Sequence, residues 1–478
     1  MRPTRSTGKH LLGLLGGPLL FGVIVLAPGG SVDWSVRCGL GLLVWMSWWW
    51  VSGAVHLAIT GLLPLVVVAA VGFAPMDEVL PAYASEMVLL LLAANLLAAL
   101  WMRWGLDRRI ALGTLLAFGS GPRRQILAWF GISLLLSAIL PNTLVAAAMM
   151  PIVAALLRVV GIEDLGKHAL GTTLALAVAW GASVGGMATP LGGAPNLLIT
   201  GFLQESVLDH EFRFATWVTH LLPMTLAVIV VGFAVMLFLS RGEDRSLAGS
   251  HEHLLAERDR LGPLSRPEKW SLALFAAAMA LAFLRPLYAT LLPALHPAFA
   301  FLACALLAFL VSHQGKPLLT WEYAQQKVVW GLLYLFAGGA ALGRILAITG
   351  TARAAADMVA PVAHGGTLIT VGVIALLAIG LTQITSNTAA AAILVPIVIQ
   401  MSQGIGLDPV PMVFITAAAV NCGFLLPSSS GGPAIAAGYG IDLRAMFRHG
   451  LLLAGLAWLA ITLTGTLLIV LWPGFSVA

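Results

Sequence analysis

Apolar runs of about 18 to 24 residues recur along this chain, each long enough as a helix to cross a hydrocarbon core of roughly 30 Å. Short polar or Gly/Pro-bearing stretches separate them. Inside a bilayer a helix satisfies its own backbone amides, so such a pattern reads as a bundle of spans. The runs predict eleven, at roughly 11–28, 36–52, 56–74, 85–103, 169–206, 216–240, 268–285, 292–312, 328–347, 409–441 and 450–472. Two further apolar segments, 125–158 and 366–405, are broken midway by polar residues and read as re-entrant hairpins. The expected fold is an all-α polytopic membrane protein of about eleven transmembrane helices plus two re-entrant hairpins.

The two hairpins resemble each other. Residues 142–153 read NTLVAAAMMPIV and residues 387–398 read NTAAAAILVPIV, with seven of twelve positions identical at an offset of 245. Gly105 stands 38 residues before Thr143, and Gly350 stands 38 before Thr388, so the repeat extends upstream. Transporter repeats often have inverted topology, with substrate and ion sites at the repeat interface near the midplane. Domains follow from this: N-terminal scaffold spans over 1–82, a first inverted repeat over 83–240, a cytoplasmic linker over 241–269, scaffold spans over 270–327 and a second inverted repeat over 328–478. The linker is assigned because it holds twelve of the chain's 45 Asp, Glu, Lys and Arg residues. Its His251-Glu252-His253 lacks a nearby third ligand and reads as a solvated loop rather than a metal site.

Charge supports the inversion. The segment 103–124 carries five arginines against Asp107, whereas its equivalent, 344–366, carries Arg344 and Arg353 against Asp357. The positive-inside rule places the first in the cytoplasm and permits the second outside. The N-terminus then falls in the cytoplasm and the C-terminus outside, in a cell inner (plasma) membrane. The overall charge of +5 orients the protein in the bilayer and implies nothing about nucleic acid.

Composition agrees, with 60% apolar and only 9% charged residues, too few charges for a water-exposed surface of this size. Leu11–Val25, behind Arg2, Arg5 and Lys9, has signal-peptide features but no convincing cleavage site before Gly29-Gly30, and reads as the first span. Cys38, Cys304 and Cys422 are scattered through apolar runs and suggest neither a disulfide framework nor metal ligation. Glu86, Glu205 and Arg344 stand near span ends, where snorkelling accounts for them. Trp48–Trp50 reads as an interfacial aromatic belt.

Candidate chemistry lies in four breaks: Pro141-Asn142-Thr143, the TPLGGAPN of 189–196, the TQITSNT of 382–388 and the PSSSGGP of 427–433. Irregular backbone at membrane depth is tolerated where protein buries it or a wet cavity receives it. Four breaks in repeat-related pairs suggest one shared cavity. A helix N-terminus there favours an anion, while unwound carbonyls and the oxygens of Asn, Ser and Thr suit sodium. A single Asn-Thr-Ala run could be helix packing with Asn as interhelical glue; two copies at matched spacing favour the site.

These motifs resemble the divalent anion/sodium symporter family, which transports dicarboxylates, citrate or sulfate. The resemblance covers nearly the whole chain: TGLLPLVVVAAVGF at 60–73, RWGLDRRIAL at 103–112, GPRR at 121–124, NTLVAAAMMPI at 142–152, GGMATPLGGAPN at 185–196, SNTAAAAILVPI at 386–397 and FLLPSSSGGP at 424–433. It implies a homodimer in which a transport domain moves like an elevator against a scaffold, carrying a small anion with sodium ions. Asn142, Thr143, Ser386, Asn387, Thr388 and Ser430 match substrate-binding positions. Ser137, Asn142 and Gly192 match one sodium site, and Thr382, Thr385, Asn387 and Ser429 the other. Two departures bear on substrate identity: Pro141 stands where the family usually has Ser, and Ser430-Gly431-Gly432-Pro433 where it usually has Thr-Pro-Pro-Asn. An exchanging or proton-coupled permease of the arsenite/citrate type is the alternative carrier, and an anion channel would keep the repeat without ion coupling. A membrane enzyme would need a nucleophile, metal cluster or acid/base pair at midplane depth, which the sequence does not display.

Overall fold

The computed structural model describes residues 7–27, 32–116, 121–208, 211–241, 250–354 and 366–476. Its strands among the described residues are one short ladder, Ser312–His313 against Lys316–Pro317; everything else that is regular is helix. The first part comprises α1 (Thr7–Leu26), α2 (Trp34–Ser52), α3 (Leu57–Gly61), α4 (Leu63–Val71), α5 (Met76–Val79) and α6 (Glu86–Trp104). The expected span at 56–74 is divided because Pro64 lacks the N–H that would reach the Thr60 carbonyl, and the chain shifts at Leu62.

An amphipathic α7 (Leu106–Leu116) leads to a helical hairpin, α8 (Pro122–Ser137) and α9 (Asn142–Val159). The run 169–206 divides into α10 (Ala169–Gly185) and α11 (Ala194–Ser206), separated by the Gly-rich break at 186–193. Then come α12 (Phe214–Leu239), α13 (Ser250–Arg260), α14 (Arg266–Phe283), α15 (Arg285–Tyr288), α16 (Pro297–Leu310), α17 (Trp321–Lys327) and α18 (Trp330–Ile348). The second hairpin is α19 (Thr367–Ile384) and α20 (Asn387–Gly404). The run 409–441 is also broken, into α21 (Pro409–Val420) and α22 (Gly431–Gly438), and α23 (Leu443–Leu471) follows.

The sequence repeat is a backbone repeat. Helices α9 and α20 are the same 18-residue element displaced by 245 positions, and α8 and α19 start at that displacement too. Left-handed glycines recur with it: Gly105 and Gly350 have φ of 70° and 73°, Gly161 and Gly406 of 75° and 73°. These close helix ends where a Cβ would be strained.

Helices approach closely where glycine allows it, as small-residue packing in membranes requires. A methyl on Gly181 or Gly185 of α10 would run into the carbonyls of Phe130 and Leu134 on α8. Gly61 of α3 and Gly338 of α18 meet in the same manner. The repeats interlock: α9 packs on α22, and α20 on α11.

Two expectations are corrected. The stretch containing His251-Glu252-His253 lies in α13, a helix docked on α7 and α9, rather than in a solvated loop. Its surroundings are held by Arg108 paired with Glu257, by Arg109 donating to Glu268 at 2.6 Å, and by the Ser265–Glu268 capping box of α14. Nor do Trp48 and Trp49 merely line an interface. Their indoles donate to the carbonyls of Gly13 and Leu14, both at 3.0 Å, and stitch α2 to α1. Asp357 and most of the expected outer loop fall at 355–365, outside the described residues.

Candidate functional site

Each hairpin tip is tied to the break in the broken helix of its own half. The Asn142 amide donates to the Gly192 carbonyl at 3.2 Å, and the Asn387 amide to the Ser429 carbonyl at 3.0 Å. The tips themselves differ. Ser386 is the N-cap of α20, its hydroxyl accepting from the Ala389 amide at 3.2 Å; Pro141 occupies the N-cap of α9 and offers neither hydroxyl nor N–H.

Buried amides hold the breaks open. Gln383 donates to the carbonyls of Ile379 and Cys422 at 2.9 and 2.7 Å, and its oxygen accepts from the amides of Phe424 and Leu425 at 2.9 and 3.0 Å. Asn196 donates to the Gly186 and Thr189 carbonyls, and Asn421 donates to Asn196 at 2.9 Å, joining one break to the other. Across the halves, the hydroxyls of Ser183 and Ser430 lie 3.1 Å apart. Thr143 leans against Gly431 so closely that any Cβ there would overlap it.

Between the tips lies a cavity of about 150 Å³. Pro141, Asn142, Thr143, Ser386, Asn387 and Thr388 reach it from the hairpins, and Ser429, Ser430 and Gly431 from the second break. Leu91, Ala94 and Asn95 of α6 face them, with Leu332 and Leu335 of α18. Among the described residues no charged side chain lines it. The N-terminal ends of α9, α11, α20 and α22 do, at Asn142, Ala194, Asn387 and Gly431. The positive ends of these helix dipoles are therefore its available electrostatic attraction for a ligand, and they favour an anion.

Beside the cavity, oxygens gather. One amide atom of Asn387 lies 2.6 Å from the Thr382 hydroxyl, 2.7 Å from the Ser429 carbonyl and 3.1 Å from the Val420 carbonyl. An amide NH2 in that position, with its two N–H groups, has these three acceptors within reach; if a cation sits among them, the amide oxygen takes the same place and four oxygens converge. The hydroxyls of Ser137 and Thr385 are buried without a hydrogen-bond partner, a costly arrangement that a cation or water would relieve. Near Ser137, a methyl on Gly192 would meet the carbonyls of Ser137 and Gly186, each at 2.5 Å, so both carbonyl oxygens press close on Gly192.

The residues proposed for the anion and sodium sites thus lie on or beside the two tips and the two breaks. Three contributors escaped sequence reasoning. Asn95, 3% exposed, donates to Leu91 at 2.8 Å and lines the cavity; its signal is a lone amide in the apolar run 87–101. Gln383 lay inside a motif that was noted, but its role depends on a loop forty residues away. The Val420 carbonyl has no side-chain signature at all.

Similarity to known proteins agrees with this geometry. A family model described as citrate transporter matches residues 43–419. The sodium-dependent dicarboxylate transporter SdcS of Staphylococcus saprophyticus is 27% identical over 460 residues, 92% of this chain and 88% of that protein. Its counterpart in Staphylococcus aureus is 26% identical over 463 residues, covering 93% and 88%. Among solved structures, the Alcanivorax borkumensis YdaH transporter superposes with a TM-score of 0.51 at 14% identity, covering 98% of each chain. Neisseria gonorrhoeae MtrF gives 0.55 at 14% identity, covering 94% of this chain and 96% of that one. At this identity the two structures show a shared fold and nothing about cargo.

Proposed function

Because the chain belongs to the citrate transporter family, and is on that ground a membrane transporter rather than an enzyme, we propose that it moves a small dicarboxylate together with sodium through the cavity between its hairpin tips. The observation that carries this reading is a charge-free cavity at which four helix N-termini meet. Such a site attracts carboxylates through fixed dipoles, yet leaves much of a dianion's charge uncompensated. Co-bound cations supply the remainder, so anion and cation each bind better in the presence of the other. The Staphylococcus relatives, named as sodium-dependent dicarboxylate transporters, support both halves of the reading.

Asn142, Thr143, Ser386, Asn387, Thr388 and Ser430 are the proposed anion contacts. Asn387, Thr382, Thr385 and Ser429 form one proposed sodium site, and the Val420 carbonyl, 3.1 Å from the Asn387 amide, is proposed as a further ligand. Ser137, Asn142 and Gly192 form the other, supported by the orphaned Ser137 hydroxyl and the carbonyls that press on Gly192. The same reading makes the hairpins and broken helices one moving body. Their interlocked packing supports this, and an elevator motion past α6 and α18, in a homodimer, is part of the same proposal. The repeats are then inverted, with the N-terminus cytoplasmic and the C-terminus outside the plasma membrane.

The test is uptake of labelled succinate into proteoliposomes. Accumulation driven by an inward sodium gradient, insensitive to a proton ionophore, is expected. Accumulation driven by a proton gradient without sodium would favour the arsenite/citrate-type permease, and equilibration without accumulation would favour a channel.

A further inference from the structure

The two halves of the cavity are built to the same plan but lined with different chemistry. Since the tip amides of Asn142 and Asn387 donate to Gly192 and Ser429 respectively, those two residues hold corresponding places. Pro141 then answers to Ser386, Gly193 to Ser430 and Ala194 to Gly431. On the first side the cavity is bounded by Pro141, Leu191, Ala194 and Pro195. On the second side Ser386 stands in the place of Pro141 and Gly431 in that of Ala194, and Ser429 and Ser430 line the cavity beside them. The Asn-Thr pair is kept in both halves, so each end retains an amide and a hydroxyl, but only the second adds three further hydroxyl-bearing residues.

We propose that the cargo is a short dicarboxylate bearing hydrocarbon rather than hydroxyl on its backbone. One carboxylate is seated at the second tip, and the substituted carbon lies against Pro141 and Leu191. This rests on the reading of the cavity as the cargo site and narrows it to a substrate class. A hydroxyl placed against Pro141 and Leu191 loses its water without gaining a partner, because neither side chain donates or accepts and proline lacks even its N–H. A methyl group in the same place loses nothing and removes apolar surface from water. The volume of about 150 Å³ suits an acid of this size rather than a drug-sized ligand.

Methylsuccinate and malate differ by a methyl in place of a hydroxyl of nearly equal size, and so isolate the question. Their dissociation constants are measured with succinate's, by calorimetry on the purified full-length protein, with and without sodium. Methylsuccinate is expected to bind about tenfold more tightly than malate in sodium, the scale of discrimination a small apolar pocket achieves. In Pro141→Ser and Leu191→Ser that ratio is expected to fall toward one or reverse. Sodium-dependent binding in which malate equals or exceeds methylsuccinate would overturn the substrate class and leave the cargo site standing. Sodium-dependent methylsuccinate preference unchanged in both variants would overturn the assignment of these residues. Failure of all three acids to bind in sodium would overturn the cargo-site reading and this inference with it.

Discussion

At the scale of single residues, Asn387 stands where the proposed anion and sodium sites touch. Its removal deprives the oxygen cluster of its central atom, and a hydrogen bond to a charged group is worth about 1.5–3 kcal/mol. Asn387→Ala is therefore expected to weaken succinate binding by at least about tenfold. The loss should be larger in sodium than without it, in a protein that still elutes as a single folded species. Gln383 has a different task, since it touches the break rather than the cavity. Gln383→Leu leaves the buried amides of Phe424 and Leu425 unpaired, at roughly 1–3 kcal/mol for each group. It should show as a lowered thermal midpoint before any ligand is added. Gly431→Ala should abolish transport while leaving expression intact, because its methyl overlaps Thr143 across the two halves; undiminished uptake would mean the tips separate freely. Much of this was legible in sequence because the Asn-Thr tips are duplicated, and a duplicated polar motif in an apolar segment is hard to ascribe to packing. The Val420 carbonyl was not legible, since a backbone oxygen is exposed by the path of the chain and leaves no trace in the residue type.

At the scale of elements, the helix breaks and the glycine contacts decide the architecture. Gly338 of α18 lies on the backbone of Gly61 of α3, so Gly338→Leu must push the two helices apart. Overpacking of this kind costs about 1–3 kcal/mol or more, and a lowered melting midpoint in detergent would register it. The breaks could be located from Gly and Pro clusters, and the equality of α9 and α20 from the repeat. The linker helix α13 could not, because Arg108, which pairs with its Glu257, stands some 150 residues away. For the same reason Trp48 and Trp49 read as an interfacial belt: an aromatic cluster near a span end gives no hint that its N–H groups find carbonyls on a neighbouring helix.

At the scale of the whole molecule, the proposed inversion, in which the two repeats cross the bilayer in opposite senses, rests on their unequal charge. Arg123 and Arg353 are exposed, in the first repeat and near the start of the equivalent segment of the second, while Cys38, Cys304 and Cys422 are buried and should remain silent to a bulky maleimide. In intact cells Arg353→Cys is expected to label with a membrane-impermeant reagent and Arg123→Cys only after permeabilisation. Labelling of both from one side would remove the inversion. The orientation rests on residue charges alone and so could be reasoned from sequence, whereas the convergence of four helix ends on one cavity required the fold. That convergence underlies the proposed sharing of one site by anion and sodium, each favouring the other's binding. Its most direct test is the dissociation constant of succinate as a function of sodium concentration, for wild type and Asn387→Ala. The expected result is an affinity that rises steeply with sodium in the wild type and hardly at all in the variant; equal sodium dependence in both, or none in the wild type, would contradict it.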